Sequence, residues 1–145
     1  MSSFLKEFKT KADSIITNAV VLDATSVVDG QEIPPYFYSE NAAWDTGAQF
    51  TFISPRIVQA LGLTPSGKGR FMGIGGDQES YIYRVNIALS NGELVRNAEV
   101  YCSDLDDYDL LLGMDIITLT DFVITNANGK TTFQFRTPSE GGVSL

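Results

Sequence analysis

Histidine is absent from this chain of 145 residues, and cysteine occurs once, as Cys102. Without an imidazole base, neither Ser-His-Asp nor Cys-His catalysis is available within the chain. Zinc sites that use histidine are excluded as well, and one cysteine cannot form an all-thiolate site. A single cysteine excludes an internal disulfide and fits a reducing, cytoplasmic compartment. If the protein is a hydrolase, its carboxylates are the groups expected to transfer protons.

Basic residues and long apolar runs are also scarce. Ten lysines and arginines face 18 acidic residues, and the net charge of −8 disfavours nucleic acid and anionic membranes as partners. The apolar stretch near the N-terminus is interrupted by Thr17, Asn18 and Asp23, so it suits neither a signal peptide nor a membrane span. The hydrophobic content of 43% nevertheless predicts one globular domain with a substantial core.

Short strands joined by tight turns dominate the predicted structure. β-Branched residues are frequent in residues 15–28, and apolar residues alternate in residues 81–89; both patterns indicate strands. Ser54-Pro55 predicts the start of a short helix that ends at Gly62, and a second short helix is predicted within residues 115–119. Further strands and turns are predicted at residues 33–38, 50–53, 94–102, 110–112, 122–125 and 131–135, with Asp-Gly or Asn-Gly turns at 29–30, 91–92 and 128–129. We therefore expect an all-β fold with one or two short helices.

The two ends of the chain are less regular than its middle. Residues 1–14 fit either one side of a short helix, through Phe4, Leu5 and Phe8, or a flexible lead. The glycine- and serine-containing residues 137–145 fit either a loose tail or a last strand at an interface. The expected domain is residues 15–136.

Asp45-Thr46-Gly47-Ala48 lies between two predicted apolar strands. A carboxylate in that position is costly to bury unless hydrogen bonds or an opposite charge compensate it. Gly47 allows a tight turn that brings backbone amides close to a ligand or to the carboxylate, and the Thr46 hydroxyl can both donate and accept. Asp-Thr-Gly is also a common type of surface turn, so the tripeptide alone leaves both interpretations open.

Three other features have weaker functional interpretations. The glycine-rich residues 67–76 lack the lysine pattern of a phosphate-binding loop and lead into no clear helix. The acidic residues 104–109 depart from the spacing of a calcium loop, and a solvated loop is the favoured interpretation. Cys102 is expected to be a buried strand residue rather than a reactive thiol. We therefore expect neither a metal nor a cofactor.

Three motifs follow one another in a characteristic order: Asp45-Thr46-Gly47-Ala48, then Phe71-Met72-Gly73-Ile74-Gly75-Gly76, then Leu111-Leu112-Gly113. In this order the chain resembles the retropepsin-like aspartic proteases, the family of the retroviral proteases, over roughly residues 33–135. The resemblance implies a closed β-barrel lobe. Because aspartic protease chemistry needs two carboxylates and the chain has one Asp-Thr-Gly, it also implies a homodimer.

The resemblance implies an aspartic endopeptidase that hydrolyses peptide bonds in a peptide or protein substrate. Asp45 from each subunit would share one proton and activate a water molecule between them. Thr46 would brace the pair across the dimer interface, and Gly47 and Ala48 would form the floor of the cleft. Leu111, Leu112 and Gly113 would pack beneath this loop, more as core than as substrate contacts. The flap that closes over the substrate would consist of Met72, Gly73, Ile74, Gly75 and Gly76.

The rival interpretation is a catalytically silent, protease-like module that binds peptides or dimerises without cutting. The intact Asp45-Thr46-Gly47 favours the enzyme, because a fold kept for binding alone has no need of a shared-proton acid. Two departures from the family bear on assembly and packing: the long stretch before Ile33, and the bulky Trp44 directly before the acid.

Overall fold

The computed structural model describes residues 2–25, 34–73 and 75–143. In these ranges the chain forms β1 (Ser2–Glu7), β2 (Ile16–Asp23), β3 (Tyr36–Trp44), β4 (Phe52–Ile53), α1 (Pro55–Leu61), β5 (Gly67–Gly73), β6 (Gly76–Ala88), β7 (Leu94–Cys102), β8 (Leu110–Leu112), α2 (Met114–Ile117), β9 (Asp121–Thr125) and β10 (Thr132–Thr137). The predicted all-β class with short helices is confirmed. The predicted Asp-Gly turn at residues 29–30 lies outside the described residues.

The larger sheet closes on itself. Its strand order is β2-β3-β8-β4-β7-β6-β5, and β2 also pairs with β6. The six strands β2, β3, β8, β4, β7 and β6 therefore form a ring. Strand β5 lies outside the ring and pairs with β6 as a hairpin. The closed lobe implied by the resemblance is thus found as a ring of paired strands.

The interior of the ring is filled by aliphatic side chains. The alternation predicted for residues 81–89 is present in β6, where Tyr83, Val85 and Ile87 are buried. Tyr81 is 49% exposed, because it lies in the hairpin that projects beyond the ring. Other buried aliphatic residues of the core are Val21, Ile53, Val100, Leu110 and Leu112.

A smaller sheet, with the strand order β1-β10-β9, packs on the ring through aromatic side chains. The Trp44 ring lies 5.2 Å from Phe133 and 4.9 Å from Phe135, measured between centroids. The indole of Trp44 donates a hydrogen bond to Thr17 Oγ1 at 3.0 Å. Trp44 therefore joins the two sheets and does not line the cleft described below.

The N-terminal segment corrects the prediction. Residues 2–7 form β1, paired antiparallel with β10, and are neither a helix nor a flexible lead. The physical reason is packing: the Phe4 ring contacts Phe135 at 5.7 Å, and Lys6 Nζ donates to the Ile16 carbonyl at 2.6 Å. The strand pairing and the Phe4–Phe135 contact depend on β10, some 130 positions away, so local sequence does not indicate them.

The first helix begins and ends as predicted. Ser54 Oγ accepts a hydrogen bond from Arg56 N, Pro55 occupies the first turn, and Gly62 ends α1 in the left-handed conformation with φ of 59°. Helix α2 forms one turn and begins one residue earlier than predicted, at Met114. None of the helices in the described ranges is long and apolar enough to cross a membrane.

In the acidic loop Asp104, Asp106 and Asp107 are exposed as predicted, and Asp109 is the exception. Asp109 is buried and not solvated: Ser39 Oγ donates to its Oδ2 at 2.6 Å, and Arg56 Nη2 contacts its Oδ1 at 2.7 Å. Its backbone also bonds to Asn41 and Ser54. Asp109 therefore connects β3, the start of α1 and β8. No group of three or more potential metal ligands occurs in the part of the chain that the structure describes.

Candidate active site

The Asp45 carboxylate is held in the turn between β3 and β4. Asp45 N donates to the Leu112 carbonyl at 2.9 Å, and Gly47 N donates to Asp45 Oδ1 at 2.8 Å. A Cβ at position 47 would lie 3.2 Å from that same oxygen, which is a tight approach. The turn predicted for Gly47 is therefore present, and a backbone amide orients the half-buried carboxylate.

Strand β8 runs between the two strands that carry this turn. It is parallel to β3, with Trp44 opposite Leu112, and antiparallel to β4, with Phe52 opposite Leu111. A side chain at Gly113 would collide with the Phe50 carbonyl oxygen and lie 2.9 Å from that of Ala48. Glycine is therefore required at position 113. Because β8 pairs with both β3 and β4, it holds the two ends of the Asp45 turn in place.

Thr51 and Asp115 form a hydrogen-bond network next to the Asp45 turn. Thr51 Oγ1 donates to Asp115 Oδ1 at 2.6 Å, and Thr51 N donates to Asp115 Oδ2 at 3.1 Å. Gly113 N in turn donates to Thr51 Oγ1 at 3.1 Å. This network ties the start of α2 to the strand after Asp45. Sequence reasoning missed it, because no local pattern relates residues 64 positions apart.

A cleft of about 630 Å³ opens beside Asp45. Its predicted members are Asp45, Gly47, Ala48, Met72 and Gly73. Thr46 is exposed in the turn and, like Gly75 and Gly76 at the hairpin end, is not among the lining residues. Ile74 lies outside the described residues. The remaining lining residues, which had not been assigned to substrate binding, are Gln49, Phe50, Phe52, Phe71, Ser103, Leu105 and Leu111.

Part of this missed set had a signal in the sequence. Phe50 and Phe52 fall in the strand predicted at residues 50–53, and residues two apart in a strand share one side. Leu111, expected as plain core, lines the cleft because β8 lies at its floor. Ser103 and Leu105 come from the loop between β7 and β8, where Ser103 N donates to the Ile53 carbonyl at 3.1 Å, a contact that local sequence does not indicate.

The β5–β6 hairpin projects over the cleft. Gly73 pairs with Gly76 at its end, and Gly76 has a φ of 101°, a conformation that favours glycine. Met72, next to this end, is 79% exposed. On the outer surface Arg70 contacts Asp77 at 2.9 Å and Glu79 at 3.6 Å, and the hydrogen bond that Arg70 donates to Asp77 raises the pKa of Arg70. These exposed pairs contribute little to stability.

The cleft wall below the hairpin is aromatic. The Phe71 ring lies 4.8 Å from Phe52 and 5.5 Å from Tyr101, and Phe50 lies 5.1 Å from Tyr101. Cys102 follows in β7, where burial raises the pKa of its thiol. The thiol thus stays protonated at neutral pH, which fits the strand residue expected from the sequence.

The cleft combines one oriented carboxylate with apolar walls. Among the described residues that line the cleft, Asp45 alone is acidic. Apolar surroundings strengthen the electrostatic interactions of a carboxylate with a bound molecule. One chain therefore supplies a single oriented carboxylate, together with a surface suited to apolar side chains.

The chain is similar to known proteins in both structure and sequence. The structure is similar to the solution structure of the Simian foamy virus (mac) protease, with 20% sequence identity and a TM-score of 0.46 over 71% of this chain and 91% of that one. It is also similar to the crystal structure of a retropepsin-like aspartic protease from Rickettsia conorii, with 14% identity and a TM-score of 0.49 over 92% of this chain and 94% of that one. No curated protein matches the sequence. The sequence matches the aspartyl protease family over residues 25–116, more than half of its length. The chain belongs to the aspartyl protease family.

Proposed function

We propose that the protein is an aspartic endopeptidase that acts as a homodimer, with one Asp45 from each subunit at the two-fold axis. The observation that carries this proposal is the Asp45 carboxylate, which is oriented by the Gly47 amide and opens into a cleft with apolar walls. Family membership supports the peptidase chemistry. Asp45 alone is acidic among the described residues that line the cleft. Because the reaction needs two carboxyl groups, this supports the proposal that a second subunit supplies the other one.

The chemistry follows from the proximity of two acids. Two carboxyl groups within hydrogen-bonding distance cannot both ionise cheaply, so they hold one proton between them. The ionised Asp45 accepts a proton from a water molecule while the oxygen of that water attacks the peptide carbonyl carbon. The protonated Asp45 of the other subunit donates a hydrogen bond to the carbonyl oxygen, where negative charge develops. Collapse of the tetrahedral intermediate breaks the C–N bond, and the Asp45 that accepted the proton from water transfers it to the nitrogen of the leaving amine.

The other predicted site residues have proposed roles in the dimer. Thr46, which is exposed in one subunit, braces the two turns across the interface. Gly47 and Ala48 contact the backbone of an extended substrate, and the hairpin segment 72–76 closes over it. The substrate is a peptide or protein, and the cytoplasmic location expected from the single cysteine stays a prediction.

The test is the substitution Asp45→Asn, which keeps the size of the side chain and removes its ionisable group. We expect cleavage of a peptide mixture to fall by at least about a thousandfold, because a shared-proton acid cannot form. Asp107→Asn is the matched control, since Asp107 is exposed in the acidic loop and does not line the cleft. That variant should cleave like the wild type.

The outcome separates the enzyme from a silent binding module. Loss of cleavage in Asp45→Asn, with peptide binding retained, supports the proposed chemistry. Unchanged cleavage in this variant would show that Asp45 is not the acid. A wild-type protein that binds peptides from the mixture and cuts none would favour the binding module.

A further inference from the structure

The position of the β5–β6 hairpin depends on side-chain packing at its base. Strand β6 pairs with β7 from Ile82 onwards, opposite Tyr101, so the hairpin leaves the sheet at that point. In the described residues β5 pairs with β6 alone. No backbone ladder therefore fixes the distance between β5 and the cleft, and packing against the cleft wall must do so.

Gly69 lies directly on the ring of Tyr101. A Cβ at Gly69 would lie 2.5 Å from Tyr101 Oη and 2.8 Å from Tyr101 Cε2. It would also lie 2.8 Å from Ile82 Cδ1. Real Cβ atoms do not approach other atoms so closely, so the β5 backbone reaches this position because residue 69 has no side chain.

The Tyr101 ring has little freedom to move aside. Tyr101 is 7% exposed, and the rings of Phe50, Phe52 and Phe71 lie 5.1, 5.8 and 5.5 Å from it. A larger residue at position 69 would therefore displace the hairpin rather than the ring, since packed aromatic clusters resist rearrangement.

We propose that the Gly69–Tyr101 contact sets the height of the hairpin above Asp45, which makes both residues positioning residues for substrate binding. This inference rests on the proposed function. Residues 69, 71 and 73 share the same face of β5 because side chains alternate along a strand. Phe71 and Gly73 line the cleft, so a hairpin lifted at residue 69 carries this part of the lining away from the substrate.

The experiment compares Gly69→Ala with Gly67→Ala. Both substitutions add one methyl group to β5, but a Cβ at Gly67 meets nothing within 4 Å. In Gly69→Ala we expect faster amide hydrogen exchange over residues 67–73 in the free protein. We also expect kcat/KM for a fluorogenic peptide, chosen from those that the wild type cleaves, to fall about tenfold, chiefly through KM. Gly67→Ala should resemble the wild type in both measurements.

A second substitution tests whether the effect passes through Tyr101. Tyr101→Leu removes Oη and Cε2, so in the Gly69→Ala background it should restore most of the lost kcat/KM. Additive losses in the double variant would contradict the proposal. If Gly69→Ala does not fold, Tyr101→Leu alone should increase hydrogen exchange in β5, and unchanged exchange there would overturn the proposal.

Hydrogen exchange also separates this inference from the proposed function. Equal exchange in Gly69→Ala and Gly67→Ala would overturn the Gly69–Tyr101 contact as a determinant of hairpin height, whatever the peptidase activity. A difference in exchange without any peptide cleavage by the wild type would support the contact and count against the endopeptidase.

Discussion

At the scale of single residues, Asp121 shows how one carboxylate can anchor the segment that follows a strand, here residues 139–141 after β10. It accepts hydrogen bonds from Ser139 Oγ at 2.6 Å, Glu140 N at 2.7 Å, Gly141 N at 2.9 Å and Arg136 Nε at 3.0 Å. These donors, led by the Ser139 hydroxyl, hold the pKa of Asp121 well below its usual range. Residues 139–141 are therefore anchored at the start of β9.

We expect Asp121→Asn to lower the unfolding temperature by several degrees near neutral pH, because the amide replaces a charged acceptor. The pKa of Asp121 is lower in the folded state than in the unfolded state, so the ionised carboxylate stabilises the fold at pH values above its pKa in the unfolded state. That stabilisation is lost as the pH falls towards its pKa in the folded state. Thermal unfolding should thus show a constant difference between wild type and variant from about pH 5 to 7, narrowing below about pH 4. A difference that grows with acidification would contradict this assignment.

The residues of the candidate site differ in how far sequence predicts them. Asp45 and Gly47 belong to one short motif, and the hydrogen bond between them is local. Thr51 and Asp115 are ordinary in their own segments and meet because β8 threads between β3 and β4. Local chemistry was therefore predictable, whereas the contacts that depend on the crossing of distant strands were not.

At the scale of elements, the three-residue strand β8 depends on what precedes it. Asp109 N donates to the Asn41 carbonyl and Ser54 N donates to the Asp109 carbonyl, which extends the pairing of β8 by one residue on both sides. The Asp109 carboxylate adds the bonds to Ser39 and Arg56. The acidic composition of residues 104–109 does not predict that Asp109 connects β8 to its neighbours, because composition does not distinguish a solvated carboxylate from a paired one.

Asp109→Ala should destabilise the protein by about 2 kcal/mol, since it leaves the buried Ser39 hydroxyl without its acceptor. The contribution of Arg56 is smaller, because its side chain is 55% exposed. Urea unfolding measures the change. Asp107→Ala is the control from the same loop, and its effect should stay within about 0.5 kcal/mol, since Asp107 is exposed. Equal effects of the two substitutions would argue against a specific role for Asp109.

At the scale of the whole molecule, the fold presents one carboxylate at a cleft formed by a single ring of strands. The aromatic contacts of Trp44 place the smaller sheet directly behind the residue that precedes Asp45. The strand order of that sheet could not be read from sequence, because β1 and β10 lie at opposite ends of the chain. The proposed activity requires a second copy of this unit, so function and assembly should be lost together.

Mixing experiments test that coupling. When wild type and Asp45→Asn are mixed in equal amounts and allowed to exchange subunits, roughly a quarter of all pairs keep two carboxyl groups. Peptide cleavage should therefore fall well below the half expected if each chain worked alone. Dilution of the wild type should lower its activity per chain as dimers dissociate, while a tandem fusion of two copies should resist dilution. Activity that follows the amount of wild-type chain alone, in the mixture and on dilution, would show that a single carboxylate suffices and would refute the shared-proton mechanism.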